Sequence, residues 1–495
     1  MSDTLKQIAD NLGVTTINGN YLSGIADYYG VDLATSTDLM ADILTEVGGD
    51  PSTSTDYLQD IVLELGGTVT INGNWMEAWE AITATPAPAL FTTEWTTTAN
   101  GEGIQLPYTG TGTYTGTIDW GDGNTDVNDG TVTIHYYPTA GTYTVIITGD
   151  CIGWDFAQAF TGGNITSVVN WGQLQLGPEN TGYNFAFCPN LDLSSVQGTL
   201  DLTGVTVLDG LFFECFALTT INNINSWDTS AITTMAYMFN GCTAFNQSLS
   251  FNTSAITSMN SMFNACSVFN SALTFNTSAV TNMNDMFNGC SAFNQALTFN
   301  TSAVTSMNNM FGNCSVFNQP LSLNTSAVTD MNSMFGNCSV FNSLLTFNTS
   351  SVTDMGSMFR ACTVFNQPLS FDTSAVTDMS RMFRDATAFN QNISSFNTAA
   401  VGNMEGMFRD ATAFNQNIGT WDVANVINFS SFMQGKTDAT FSTTNLNAIY
   451  NGWSTQAVQP SLTIDFGTAK YTGAATAGRL VLTGTKLWTI TDGGL

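Results

Sequence analysis

Apolar residues in the second half of the chain recur with a fixed period of 24 residues. From Met235 the unit reads NTSAVTxMxxMFxxCxxFNQxLxF, and the Phe of its Met-Phe pair falls at Phe239, Phe263, Phe287, Phe311, Phe335, Phe359 and Phe383, then at Phe408 after one inserted residue. Within a unit, Phe269, Leu273 and Phe275 alternate with polar positions as a strand does. Met259, Met262 and Phe263 sit at the three-to-four spacing of a short helix or 3₁₀ turn. Each unit is therefore expected to form one coil with one strand and one turn of helix, and in-register stacking would make a parallel β-ladder. Degenerate units end in Phe160, Phe187 and Phe213, and a last one carries Phe432 and Met433, giving about eleven or twelve coils.

The pattern differs ahead of the array. LKQIADNLGVTTINGNYL (Leu5–Leu22) and LQDIVLELGGTVTINGNWM (Leu58–Met76) are duplicates sharing TINGN. Their apolar residues follow helical spacing and stop at Gly13 and Gly66, a C-terminal helix signal. Residues 1–84 are thus expected to form a small helical module. TATPAPA (Thr83–Ala89) has the composition of a semi-rigid linker, placed at 85–89. From Phe91 to about Gly149, Thr, Tyr, Ile and Val alternate between glycines, as in TGTYTGTIDW and GTYTVIITG, which predicts short antiparallel strands in a β-sandwich over 90–150. The array is assigned to 151–435 and a capping segment to 436–495.

Charge narrows the functional classes. With 39 acidic and 9 basic residues the net charge is −30, which repels nucleic-acid phosphates and anionic lipid headgroups. No Lys or Arg occurs between Lys6 and Arg360, so trypsin-like proteases have few sites. Only 10% of residues are charged, so the exterior must be largely Asn, Ser, Thr and Gly, which recognise by hydrogen bonding and shape. The segment SDTLKQIAD after Met1 lacks the basic and apolar regions of a signal peptide, and no stretch approaches eighteen apolar residues. The expectation is a soluble, cytoplasmically made protein without membrane insertion.

Units such as AFNQSLSFNTSAITSMNSMFNAC and VFNQPLSFDTSAVTDMSRMF closely resemble the BspA-like leucine-rich repeat surface proteins, the Mycoplasma lipoprotein repeat type. The resemblance extends to WGDG (Trp120–Gly123) and HYYPTAGTYTV (His135–Val145), similar to the PKD-like β-domain that commonly precedes such repeats, and to SVVNWG (Ser167–Gly172). It also takes in LNAIYNGW (Leu446–Trp453) and LWTITDGG (Leu487–Gly494), similar to the family's closing segment. Roughly residues 90–495 are covered. The resemblance implies adhesion or surface recognition. The expected architecture is an α/β repeat solenoid, leucine-rich-repeat-like with a parallel β-ladder, preceded by a PKD-like β-sandwich and a small helical N-terminal module.

Candidate chemistry is sparse. Cys266, Cys290, Cys314, Cys338 and Cys362 recur every 24 residues, and Ala386 and Ala411 later fill the slot, which favours a small buried residue over disulfides or metal. Paired methionines such as Met283 with Met286, and Met307 with Met310, read as core rather than as a soft-metal stripe. Asp119, Asp122, Asp126 and Asp129 could hold calcium, but Val127 stands where an EF-hand loop needs glycine, and a β-turn is the simpler account. His135, the sole histidine, fits packing in the PKD-like HxY motif. Asn252-Thr253-Ser254 and its repeats match glycosylation sequons, yet stacked side-chain hydrogen bonds explain them, with glycan or ice binding as further readings. Arg360, Arg384 and Arg409 follow the Met-Phe pair on the last three full coils; they are candidate ligand-binding residues, with surface ion pairing to Asp385 and Asp410 as the plainer reading. Tyr21 and Trp75, in the duplicated TINGN contexts, are candidate particle-attachment residues.

Nothing points to catalysis: no second histidine is available for a triad, and Asp285, Asp330, Asp354, Asp378, Asp385, Glu405 and Asp410 look like solvated turn positions rather than a glycosidase pair. No cofactor is implied. The expected function is a non-enzymatic virion structural protein of a tailed bacteriophage, of fibre or decoration type. Residues 1–84 would attach to other virion proteins, and the rest would bind a host-surface receptor or glycan from the virion surface, without nucleic acid and with homo-oligomerisation left open. A bacterial cell-surface adhesin is the alternative, to be decided by an upstream apolar segment; a polysaccharide-degrading spike is the less favoured one.

Overall fold

A computed structural model describes residues 89–158, 162–177 and 180–495. The chain divides into two units between Ala89 and Leu90. The helical module expected over 1–84 and all of the 85–89 linker except Ala89 lie outside the described residues, as does Phe160. The described part is mostly β, with few helices and open sheets.

Strand β1 (Phe91–Thr97) buries Phe91, Thr93, Trp95 and Thr97 on alternate positions, the period-two signature of a half-buried strand. Further along come β2 (Gly103–Gln105), β3 (Tyr108–Tyr114), β4 (Thr117–Asp119), β5 (Thr125–Val127), β6 (Ile134–Tyr136), β7 (Gly141–Ile147), β8 (Cys151–Trp154), β9 (Ile165–Asn170) and β10 (Leu174–Gln175). They form a five-stranded sheet in the order β5-β4-β7-β1-β9, a three-stranded sheet β10-β8-β3, and the pair β2-β6. The rings of Phe91 and Trp154 meet edge-on at 4.9 Å and join the two larger sheets.

The β-region extends past the expected limit at 150. Strand β9 pairs antiparallel with β1, while its Ser167 and Asn170 form parallel bridges to Asp192 and Gln197 of the next unit. One strand thus closes the sheet and offers the first rung to the repeats.

Within the repeats the expected turn of helix is replaced by tandem turns. Ser261 and Ala265, two residues to either side of Phe263, have φ of 53° and 60°, and equivalent left-handed residues recur in every coil as far as Asp410. Each such non-glycine residue costs on the order of 1 kcal/mol and ends right-handed helix locally. The gain is hydrogen bonding between coils. The N–H groups of Met259, Ser261, Phe263 and Ala265 donate to the carbonyls of Asn282, Asn284, Met286 and Asn288, whereas those of Met262, Asn264 and Cys266 close turns within their own coil. All these amides are satisfied without a helix.

The parallel ladder also sits elsewhere than expected. Ser258, Asn282, Ser306, Asp330, Asp354, Asp378, Asn403 and Asn428 bridge one to the next, just before the first methionine of each unit or, in the last, before Phe429. Phe269, Leu273 and Phe275 do point inward, but only Leu249 and Leu273 form a bridge there. Asn side chains displace the backbone ladder: the Asn270 N–H donates to Oδ1 of Asn246 at 2.9 Å, and the pattern repeats down the array.

The interior is a set of columns. Phe263, Phe287 and Phe311 stack at 5.8 Å between centroids, near-parallel, and a second file, Phe269, Phe293 and Phe317, runs beside them at 6.0 and 5.9 Å. Each ring contributes about 1.5–3 kcal/mol by burial. At the end of the array, helix α1 (Thr443–Trp453), whose N-cap Ser442 accepts from the Asn445 N–H, lays Trp453 on Phe429 at 5.3 Å. The parallel pair β11 (Thr463–Asp465) and β12 (Thr489–Thr491) completes this end, with Ile464 bridged to Phe429.

Candidate functional site

The polar exterior is built largely from hydrogen bonds that tie coils together. Thr253 is 1% exposed and donates its hydroxyl to the Asn276 carbonyl at 2.9 Å, as Thr277 does to Asn300. Asn252 accepts from the Ser254 N–H at 3.0 Å. These contacts account for the sequon-like strings. Two exposed hydroxyl files run beside them: Thr281 donates to the Thr257 carbonyl at 3.1 Å, and Ser291 to that of Ser267 at 3.1 Å.

The cysteine column faces inward. Each thiol donates to the Phe carbonyl of the coil before, as Cys290 does to Phe263 at 2.9 Å and Cys314 to Phe287 at 3.0 Å. Burial pushes the Cys338 thiol from 9.0 up to about 12, so these groups are inert rather than metal-ready. The paired methionines are buried as well.

Around the acidic turn each carboxylate has its own local donor. Asp119 accepts from the Gly121 N–H at 2.9 Å, Asp126 from the Trp120 indole at 2.8 Å and Asp129 from the Thr131 N–H at 2.9 Å. Asp122 lies 2.8 Å from Nε2 of His135, whose ring stacks on Trp120 at 4.8 Å. Burial raises the Asp122 carboxyl, but the bonds from His135 and Asn124 outweigh it, and the net direction is down. Among the described residues no three acidic, His or Cys side chains gather to hold a metal.

Asp330, Asp354 and Asp378 are not the solvated turn positions expected; they occupy successive rungs of the ladder. Burial raises Asp354, hydrogen bonds from the Gly356 N–H and Asn332 offset this in part, and the carboxylates of Asp378 and Asp330 add to the rise.

Arg360, Arg384 and Arg409 are brought into one column. They follow Phe359, Phe383 and Phe408, whose rings stack at 5.7 Å, and Ala361 and Asp385 donate their N–H groups to the carbonyls of Arg384 and Arg409. Nε of Arg384 lies 3.3 Å from Asp385, and Nε of Arg409 lies 3.3 Å from Asp410. Arg360, followed by Ala361, has no carboxylate partner among the described residues, and its Nε is buried without a hydrogen bond. Tyr21 and Trp75 lie outside the described residues.

Sequence reasoning missed Lys436. It continues the cysteine column one coil past Ala411, is 2% exposed, and donates Nζ to the carbonyls of Ala411, Thr412 and Phe414. Burial brings its ammonium from 10.5 down to about 7. Following the column in steps of 24 or 25 residues from Cys362 would have found it.

Among the described residues no helix is long and apolar enough to cross a membrane. No curated protein and no solved structure matches the chain. Residues 183–297, 271–346 and 343–445 match the family model described as Mycoplasma protein of unknown function, DUF285, so the matches run from 183 to 445, more than half of the 495 residues. The chain belongs to this DUF285 family.

Proposed function

We propose that the chain is a non-enzymatic recognition protein whose repeats form a solenoid of the BspA-like, leucine-rich-like type, carried behind a PKD-like β-domain and displayed on a bacteriophage particle. The observation that carries this reading is the regularity of the outer files: Thr257, Thr281, Thr305, Thr329 and Thr353 present one exposed hydroxyl per coil on a rigid support. Such a surface suits many weak hydrogen bonds that gain strength by multivalent display. Nine unpaired cysteines fit a chain that folds in a reducing cytoplasm before lysis frees the particle. Residues 1–84, with Tyr21 and Trp75, supply the attachment to other virion proteins in this reading.

The resemblance of the repeats to BspA-like surface proteins suits a second placement, the surface of a bacterial cell. Two measurements separate them. Mass spectrometry of purified particles finds the chain if the virion reading holds, and the purified full-length protein then binds host cells and competes with virions. Absence from particles sinks the virion placement, and absence of cell binding sinks recognition itself.

A further inference from the structure

The arginine column answers a question the hydroxyl files leave open, namely which ligand chemistry the array prefers. Basic residues are missing from Gln7 to Phe359, so an anionic ligand meets repulsion over most of the chain. Arg360, Arg384 and Arg409 then stand on three successive coils, each half-buried and held in register by the backbone bonds described above. Their charges are not equally satisfied. Arg384 and Arg409 have neighbouring carboxylates at 3.3 Å, which leave most of each guanidinium fork free, and Arg360 has none. Nε of both Arg360 and Arg384 is buried without a hydrogen bond; at Arg384 the Asp385 carboxylate 3.3 Å away offsets the cost, and at Arg360 no carboxylate does so among the described residues.

Ahead of Arg360 the column carries no side chain, because buried glycines, Gly312 and Gly336, occupy the equivalent place on the two preceding coils. Beside those glycines runs an amide ladder: Asn337 donates to Asn313 at 2.9 Å, and Asn313 to Asn288 at 2.8 Å. Asn313 and Asn337 belong to the neighbouring column, which Ala361, Asp385 and Asp410 continue, so they stand one position over from the strip of three forked cations. Guanidinium forks match carboxylate and sulfate oxygens, and amides match sugar hydroxyls.

We propose that Arg360, Arg384 and Arg409 bind a linear acidic glycan, carboxylated or sulfated, with Arg360 as its principal charge contact and the neighbouring Asn ladder meeting its hydroxyls. The proposal rests on the recognition reading above and names the ligand class for it. Simple counterion binding is sequence-blind and ligand-blind, so discrimination among polymers is the deciding property.

The test uses the full-length protein and three probes: heparin, polygalacturonate and neutral dextran, titrated at low and physiological salt. Binding to at least one acidic glycan but not to dextran is expected. Arg360→Gln should weaken it about tenfold and Arg409→Gln less, while the Arg360→Gln/Arg384→Gln/Arg409→Gln variant should abolish it with an unchanged unfolding transition. Equal binding by the triple variant, or equal affinity for a single-stranded oligonucleotide, overturns the proposal. If the triple variant loses the glycan yet keeps binding host cells, the column is a glycan site and not the receptor site. If it keeps both, the column is idle and recognition survives without it.

Discussion

Nζ of Lys436 lies 2.6 Å from the carbonyl oxygen of Phe414, one coil earlier. Where the array ends, one buried ammonium serves the carbonyls of Ala411, Thr412 and Phe414 together, and Ala411 also accepts from the Phe414 N–H. The cation also sits 5.9 Å from the Phe414 ring. Lys436 therefore acts as a plug for the interior column. Lys436→Met keeps the bulk and removes the donor, leaving the Thr412 and Phe414 carbonyls unpaired while Ala411 keeps the Phe414 N–H, and should cost on the order of 3 kcal/mol. Thermal unfolding measures this, and an unchanged midpoint would show that the plug is dispensable.

The cysteines make an equally sharp case. All nine are free and buried, and the repeat thiols point at carbonyls rather than at each other. The native protein should resist alkylation, and denaturation without reductant should expose nine reactive thiols. Fewer than nine would mean that disulfides form. Because Ala386 and Ala411 already occupy the slot, Cys290→Ala should cost only about 1 kcal/mol.

Glu102 sets a pH dependence in the β-domain. Its carboxylate accepts from the Asn164 amide at 2.8 Å, the Thr98 N–H at 2.6 Å and the Ala99 N–H at 3.0 Å. These bonds hold it at about 2, below the ordinary 4.5. A depressed carboxyl stabilises the fold fully above its unfolded value and loses that contribution as pH falls toward the folded one. Wild type should thus melt above Glu102→Gln at pH 7, and the two curves should converge between pH 4.5 and pH 2. A constant gap across that range would exclude the carboxylate as the cause.

What the sequence made legible follows from what repeats in it. The Phe, Met and Cys columns are periodic in residue type, and each of those side chains proves buried in the regular coils. The left-handed positions are equally periodic in geometry but not in residue type: Ser261, Asp285, Asn309, Arg381 and Asp385 have φ between 53° and 60° without a glycine to announce it. Helical spacing at Met259, Met262 and Phe263 was therefore misleading. The ladder was misplaced because Asn246 and Asn270 take the backbone donors at the expected strand. The arginine column could be read from sequence, with its pairing to Asp385 and Asp410 and with Ala361 in place of an acid beside Arg360, whereas the burial of Arg360 Nε could not.

The threonines of one coil divide into two roles that a pair of substitutions can separate. Thr301 is 1% exposed, and its hydroxyl donates to the Asn324 carbonyl at 2.9 Å. Thr305, four residues on, is exposed and donates to the Thr281 carbonyl at 3.2 Å. Valine matches threonine in shape, so each change removes one hydroxyl and little else. Thr301→Val leaves the part-buried Asn324 carbonyl without its donor and should cost about 1 kcal/mol. At Thr305 the Thr281 carbonyl keeps the Thr305 N–H at 2.9 Å, and the effect on stability should stay within about 0.5 kcal/mol. Recognition should respond the other way: Thr305→Val in the full-length protein is expected to weaken host-cell binding, because that hydroxyl belongs to the exposed file. Equal destabilisation by the two variants would show that the exposed file also holds the coils together, and unchanged binding by Thr305→Val would remove that file from the recognition surface.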